Sequence, residues 1–224
     1  MTARELAVAG AWEIAPELHT DDRGLFYEWF TQRDFAQVAG HRLDLHQVNC
    51  SVSAAGVLRG LHFAALPPSQ AKFVTCVHGA VFDVVVDIRV GSPTYGRWDS
   101  VRLDDRDRRS VYLSEGLAHG FLALEDDSTV MYLCSAPYAP RREHTILATD
   151  PQLAIDWPEV SGGRTPRMSG RDHDAPPRGE VRRDRGPTSA GCGRSPPASR
   201  SPAAGPSRGW CAHARGHTGP SRGT

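Results

Sequence analysis

Apolar and polar residues alternate in short runs along most of this chain, with turn-forming residues between the runs. His41–Ser53 alternates around Leu43, Leu45, Gln47 and Asn49 until Gly56 interrupts it. Val57–Phe63 follows and stops at a Pro-containing turn over 65–69. Phe73–Val77 ends at His78-Gly79, which reads as a tight hairpin turn into Val81–Val90, the strongest strand of the set. Beyond the loop Gly91–Gly96, the runs Trp98–Leu103, Ser110–Leu113, His119–Leu124 and Thr129–Cys134 complete the pattern, with polar turns between them. Helical periodicity is weak, and Thr31–Ala39 is the best candidate for a short helix. Strands at roughly ten-residue spacing, with no internal repeat, predict an all-β sandwich or barrel.

The pattern fails near residue 160, and composition shows why. Residues 1–160 hold 14 basic and 22 acidic side chains, whereas 161–224 hold 12 and 4, so the zero net charge cancels two unlike parts. The last leucine is Leu153, the last isoleucine Ile155, and no phenylalanine follows Phe121. A segment so poor in large apolar groups cannot offset its own ordering entropy. The expected folded domain is therefore 1–177, followed by a disordered Arg/Pro/Gly/Ser-rich tail over 178–224. A basic tail can bind nucleic acid, but this one has Trp210 as its single aromatic and no repeat. A GC-rich coding sequence read in a shifted frame is the plainer account of its composition. No apolar stretch is long enough for a membrane span, and the N-terminus has no signal-like apolar segment. Of five cysteines, Cys50, Cys76 and Cys134 lie in strand-like runs without C-x-x-C spacing, which predicts reduced core thiols in a cytoplasmic protein.

The chain contains 25 arginines and a single lysine, Lys72, ten residues after His62. A lysine is a compact, tunable point charge suited to holding one oxygen anion, a task for which the planar arginine is less apt. His62 alternates with Leu61 and Phe63, so in a strand it faces away from those two apolar side chains. Tyr132 is a phenol inside the apolar run Val130–Cys134, where its hydroxyl needs a partner or a role. A metal centre fits less well: His62 lacks a second ligand at His-x-His spacing, and His119 is the one remote candidate. No metal and no cofactor are expected. A histidine base, a lysine anion-holder and a tyrosine acid suit removal of a proton next to a carbonyl.

Longer strings carry a resemblance. They are Gln47–Ser53, Gly56-Val57-Leu58-Arg59-Gly60-Leu61-His62-Phe63, Pro68-Ser69-Gln70-Ala71-Lys72, Gly79–Arg89 with Gly91-Ser92-Pro93, Glu115–Phe121, and Asp150-Pro151 with Ile155–Pro158. Together they resemble the dTDP-4-dehydrorhamnose 3,5-epimerase family over about residues 4–177. The resemblance implies a metal-free, cupin-like β jelly roll with short peripheral helices, forming a homodimer by strand exchange. It implies a dTDP-4-keto-6-deoxyhexose substrate inverted at C3, C5 or both, in rhamnose-like or antibiotic deoxysugar synthesis. By the same match His62 is the base, Asp172 the carboxylate that orients it, Lys72 the holder of the enolate oxygen and Tyr132 the acid on the opposite face. The implied substrate contacts are Arg23, Glu28, Gln47, Asn49, Arg59, His119, Glu143 and Arg171, with Phe26 and Tyr138 against the thymine. Two positions depart from the family pattern: Arg171 replaces the usual lysine, and Leu133–Ala136 replaces a more polar run after the tyrosine. A single-centre 3- or 5-epimerase is therefore the near alternative. A non-catalytic nucleotide-sugar or nucleic-acid-binding protein is the distant one. The arginine bias fits a high-GC, actinobacterial coding sequence.

Overall fold

The strand-rich pattern is realised with few exceptions, and a computed structural model describes residues 1–65, 67, 69–160, 163 and 165–181. In chain order its elements are β1 (Thr2–Glu5), β2 (Ala11–Ala15), β3 (His19–Asp21), β4 (Gly24–Phe26), α1 (Gln32–Ala39), β5 (Gln47–Ser53) and β6 (Leu58–Ala64). There follow β7 (Lys72–His78), β8 (Ala80–Asp87), β9 (Trp98–Asp104), β10 (Ser110–Leu113), β11 (Leu117–Ala123), β12 (Ser128–Cys134), β13 (Glu143–Thr145) and α2 (Gly170–His173). A six-stranded sheet runs β1-β2-β10-β7-β12-β5 and faces a five-stranded sheet in the order β13-β6-β11-β8-β9; β3 and β4 form a separate hairpin. Among the described residues all the strand pairs are antiparallel, and the result is a cupin-like jelly roll.

Alternation sorts the side chains into three apolar layers. Val74, Cys76, Val111 and Val130 of the six-stranded sheet meet Val81, Val85, Val101, Leu117 and Phe121 of the other, between the sheets. The outer face of the five-stranded sheet presents Leu58, Leu61, Phe63, Val84 and Leu122, which the segment around Ile146, Ala148 and Leu153 covers. Phe35 of α1 and Leu43 cover the outer face of the six-stranded sheet at Phe73, Tyr112 and Leu133. Helix α1 begins at Thr31, whose hydroxyl accepts from the Asp34 amide at 3.1 Å, and stops at Gly40 in the left-handed region.

Several sequence expectations change. His78-Gly79 is not a hairpin turn: β7 belongs to one sheet and β8 to the other, so the chain crosses between sheets there. Gly79 makes the corner with φ 70°, donating its N–H to Asp105 Oδ2 at 2.9 Å. Residues 41–46 are loop rather than strand, because Leu43 is drawn onto the α1 layer. Cys50 is exposed, since β5 is an edge strand whose outer face, with Val48 and Val52, is uncovered. The described chain continues four residues beyond the expected boundary at 177. Arg178 donates its amide to Asp150 Oδ2 at 2.7 Å, and Val181 packs on the outer apolar layer. The tail expected from there on lies outside the described residues. Among the described residues no helix is long and apolar enough to cross a membrane.

One irregularity sets the direction of the site residues. The β6–β11 register pairs His119 with His62 but Phe121 with Arg59, so Gly60 and Leu61 together oppose Gly120. The bulge places Arg59 and His62 on one face although they are three residues apart. It requires glycine on both strands. A Cβ on Gly60 (φ 113°) would lie 2.7 Å from Gly120 Cα, and one on Gly120 would lie 2.7 Å from the Arg59 carbonyl. Gly60→Ala is therefore expected to cost about 2–5 kcal/mol in denaturant unfolding, from backbone strain plus overpacking. Gly170→Ala, where nothing lies within 4 Å of the added carbon, should change stability by less than about 0.5 kcal/mol. Equal effects at the two glycines would contradict the role given to the bulge.

Candidate active site

The inner faces of the two sheets bring separate groups of polar side chains toward each other. On the five-stranded sheet, His62 and His119 are cross-strand partners, and His119 also pairs with Val85 of the inter-sheet core, which fixes their inward direction. On the six-stranded sheet, Lys72 lies opposite Cys134, and Tyr132 lies between Val74 and Asn49. Alternation then puts Gln47 and Asn49 inward with Tyr132 and Cys134, leaving Val48, Cys50 and Val52 outside.

His62 Nε2 lies 2.6 Å from Asp172 Oδ1, a contact spanning 110 residues of sequence. Asp172 comes from α2, a single turn whose first amide groups are capped by Ser169: the Asp172 N–H donates to Ser169 Oγ at 3.2 Å. Asp172 is 4% exposed. Burial pushes its pKa up, but hydrogen bonds from His62, Ser169 and the Gly60 backbone, with the His62 charge, outweigh that and hold it below the ordinary 3.8. An ionised, buried carboxylate of this kind orients the imidazole and stabilises it when protonated. The pair opens onto a cleft of about 420 Å³ that also exposes Arg59, Met168 and Arg171.

Burial tunes the acid and the cation in opposite senses. Burial, reinforced by Cys134 and Glu143, raises Tyr132 above its usual 10.0 against the opposing pull of Arg59 and Asn49. Burial lowers Lys72 below 10.5, while Cys134, Glu143 and Asp83 work to raise it. Lys72 as a residue is half-buried. Its ammonium group sits 5.9 Å from the centre of the Tyr132 ring.

The remaining expected contacts divide into two sets. Arg59 donates from Nε to Ser53 Oγ at 3.0 Å and from Nη2 to the Val52 carbonyl at 3.2 Å, which steadies it at the edge of the cleft. Gln47 donates to Asn49 Oδ1 at 2.7 Å and accepts from the Tyr138 amide at 2.8 Å, leaving the Tyr138 ring 57% exposed. Arg171 Nη2 donates to the Glu143 carbonyl at 3.0 Å. Arg23, Phe26 and Glu28 are not brought to His62. Arg23 pairs with Asp21 on the β3–β4 hairpin, Phe26 stacks on His19 while 66% exposed, and Glu28 lines a shallow depression with Arg33 and Asp34.

Two residues of the site escaped the sequence reading. Ser169 is legible as a cap, three residues before an aspartate. Asp83 gave a clearer signal, an aspartate within the apolar run Val81–Val86: it is 1% exposed, and its Oδ2 lies 2.8 Å from His119 Nε2. Among the described residues no group of three or more His, Cys, Asp or Glu is arranged to hold a metal ion.

Asp172 yields a pH test. A carboxyl lowered in the fold adds stability that is complete above its unfolded value and disappears as pH falls through the folded one. Wild-type protein should therefore exceed Asp172→Asn in urea unfolding free energy at about pH 6, and the difference should narrow toward about pH 3. Parallel curves would show that the Asp172 charge contributes nothing.

Comparison with known proteins accords with this geometry. The family model for dTDP-4-dehydrorhamnose 3,5-epimerase matches residues 5–179. A protein of that name from Mycobacterium tuberculosis is 71% identical over 182 residues, 81% of this chain and 90% of the relative. A Streptomyces niveus dTDP-4-dehydrorhamnose 3-epimerase is 55% identical over 78% of this chain and 83% of its own length. The solved structure of the Mycobacterium tuberculosis rmlC epimerase superposes with a TM-score of 0.83 at 68% identity, covering 85% of this chain and 96% of that one. The chain belongs to the dTDP-4-dehydrorhamnose 3,5-epimerase family and is an isomerase of the carbohydrate-epimerase type.

Proposed function

We propose that the chain inverts C3 and C5 of a dTDP-4-keto-6-deoxyhexose by proton transfer through an enolate. The observation that carries this reading is the pairing of His62 with a buried, ionised Asp172 on one sheet while Tyr132 projects from the other. The 4-keto group acidifies both neighbouring C–H bonds. Inversion needs removal of a proton on one face and delivery on the other, which two groups on facing sheets are suited to do. His62 takes the proton, and Asp172 stabilises the resulting imidazolium. Lys72 holds the charge that develops on the C4 oxygen, an interaction strongest once the enolate has formed. Tyr132, kept protonated by its raised pKa, supplies the proton on the far side.

Arg59, Gln47, Asn49, His119, Glu143 and Arg171 serve as substrate contacts, with Tyr138 stacking on the thymine. Arginine suits the pyrophosphate because its planar fork bonds two oxygens at once. Arg23, Phe26 and Glu28 are assigned to the site of the second subunit in a strand-exchanged homodimer. The uncovered apolar residues Leu25 and Phe26 on the hairpin, and Val48 and Val52 on β5, support that assignment. The thiols of Cys76 and Cys134, buried and unpaired, fit a reducing cytoplasm. The catalytic domain is assigned to the chain up to about residue 177, and the turn at Arg178–Glu180 follows that boundary. A single-centre reading is kept because the Streptomyces niveus relative carries a 3-epimerase name.

Incubation with dTDP-4-keto-6-deoxyglucose in deuterium oxide, followed by NMR, tests the reaction directly. Label at both C3 and C5 supports double inversion; label at C3 alone selects the 3-epimerase reading, and none refutes both. His62→Asn should reduce exchange by about 10²–10⁴-fold, with a smaller loss for Asp172→Ala. Tyr132→Phe should retain exchange while inversion falls, and a chelator should change neither. Equal loss of exchange and inversion would make Tyr132 a structural residue. A chain ended after Val181 should keep its activity, whereas one ended before Ser169 should lose it with Asp172.

A further inference from the structure

Asp83 has no role in the reaction as described, yet it is among the most deeply buried charged groups of the barrel. Its cross-strand partners are Phe121 on β11 and Val101 on β9, both members of the inter-sheet core, so its side chain points between the sheets. Oδ2 bonds His119. Oδ1 is buried without a hydrogen-bond partner among the described residues. A carboxylate oxygen left unpaired in such a place is destabilising, and a fold keeps one where something else uses its charge.

Lys72 is the group within that interior that needs it. Burial drives Lys72 toward the neutral amine, which cannot hold an enolate. Lys72 alternates with Val74 and Cys76 of the inter-sheet core, so it is turned into the same interior as Asp83, as are Tyr132 and Cys134 on β12 and the paired His62 and His119 on β6 and β11; Glu143 on β13 also acts on its charge, and Leu113, its β10 partner, is apolar. Cys134 is a neutral thiol near pH 7, since burial pushes it above 9.0 against the pull of Lys72 and Asn49. Glu143 is only half-buried on an edge strand, where water and salt screen its charge. Asp83 is enclosed, and its field crosses little water.

We propose that Asp83 is a positioning residue for the epimerase reaction: one oxygen clamps His119, and the unpartnered one is the fixed counter-charge that keeps Lys72 an ammonium ion. The inference rests on the epimerase reading for its consequence, but its central test needs no substrate. Because the chain has a single lysine, lysine-selective ¹³C labelling gives one side-chain resonance whose pH titration reports Lys72 alone. Asp83→Asn keeps the shape of the side chain and removes the charge. It should shift the Lys72 midpoint to lower pH, by more than Glu143→Gln does. The alkaline limb of the exchange rate should move the same way by the same amount, so that at pH values above the shifted midpoint exchange falls by about tenfold for each unit of that shift. A Lys72 midpoint unmoved in Asp83→Asn, or one lowered only in Glu143→Gln, overturns the proposal. If Asp83→Asn does not fold, Asp83→Ser takes its place. His119→Asn adds an independent arm: it leaves the Asp83 charge intact, so the Lys72 midpoint should hold or rise, and a fall would also overturn the assignment. Loss of exchange in wild-type protein with a normal lysine titration would instead count against the epimerase reading.

Discussion

The close approach of Gly60 and Gly120 is the constraint on which the rest of the molecule depends. A regular strand would turn Arg59 and His62 to opposite faces; the extra residue in β6 turns both toward the cleft. The same slip sends Leu58, Leu61 and Phe63 together to the outer layer. That layer docks the C-terminal segment, and Leu61 and Ile146 exchange backbone hydrogen bonds of 3.1 and 2.9 Å across it. The segment then carries Asp172 back to His62, and the Gly60 backbone supplies one of the bonds that keep the carboxylate ionised. The direction of His62, its contact with Asp172 and the return of the chain are thus consequences of one local irregularity. A side chain at either glycine would disturb all three.

The second organising feature is electrostatic. Val74, Val85, Phe121 and Val130 form an apolar floor between the sheets, above which the polar groups gather. Charges near such a floor interact more strongly than they do in water, and they lose more by burial. The shifts at Tyr132 and Lys72 follow from this placement: the phenol holds its proton more tightly and the ammonium group less tightly. The barrel therefore requires compensating carboxylates, and it places Asp83 and Asp172 on or against the five-stranded sheet, each bonded to a histidine. The two His–Asp pairs differ in setting. The His62 side chain is 34% exposed at the cleft, whereas that of His119 is 9% exposed. The more open pair is the one to which the proposed reaction assigns proton exchange.

Much of this architecture is legible in the sequence because it depends on period-two alternation. The central strands β6 to β12 and the capped helix α1 lie within a few residues of the expected runs. What alternation misses has identifiable causes. Strands β1 and β3 are exposed at every residue, so they carry no apolar face to read. The corner at Gly79 looks like a hairpin because a hairpin turn and a sheet crossing both demand a left-handed glycine; only the pairing of the flanking strands separates them. The inward direction of His62 follows from its two apolar neighbours, but its sharing a face with Arg59 needs the bulge, which a Gly-Leu pair does not announce. The contact of Asp172 with His62 joins residues 110 apart, beyond the reach of any local rule. Resemblance to a family supplied that pair in advance; geometry gives its physical reason.

The residues left outside the cleft have a logic of their own. A hairpin of two three-residue strands is marginal alone, and β3–β4 exposes all six of its residues, including Leu25 and Phe26. Edge strand β5 likewise leaves Val48, Cys50 and Val52 facing outward, a feature that soluble proteins generally blunt or cover. Both features are costly in an isolated chain, and both are relieved at once if a second copy contributes a surface. The proposed dimer accounts for why Arg23 and Phe26, implied as substrate contacts, have their contacts among the described residues within their own hairpin. It also gives a reason for the exposure of Leu25 and Phe26 on that hairpin and of Val48 and Val52 on the strand bearing Gln47 and Asn49. A subunit whose recognition residues project away from its own base gains by association, since pairing would complete two sites together and cover the apolar surface that each chain leaves open.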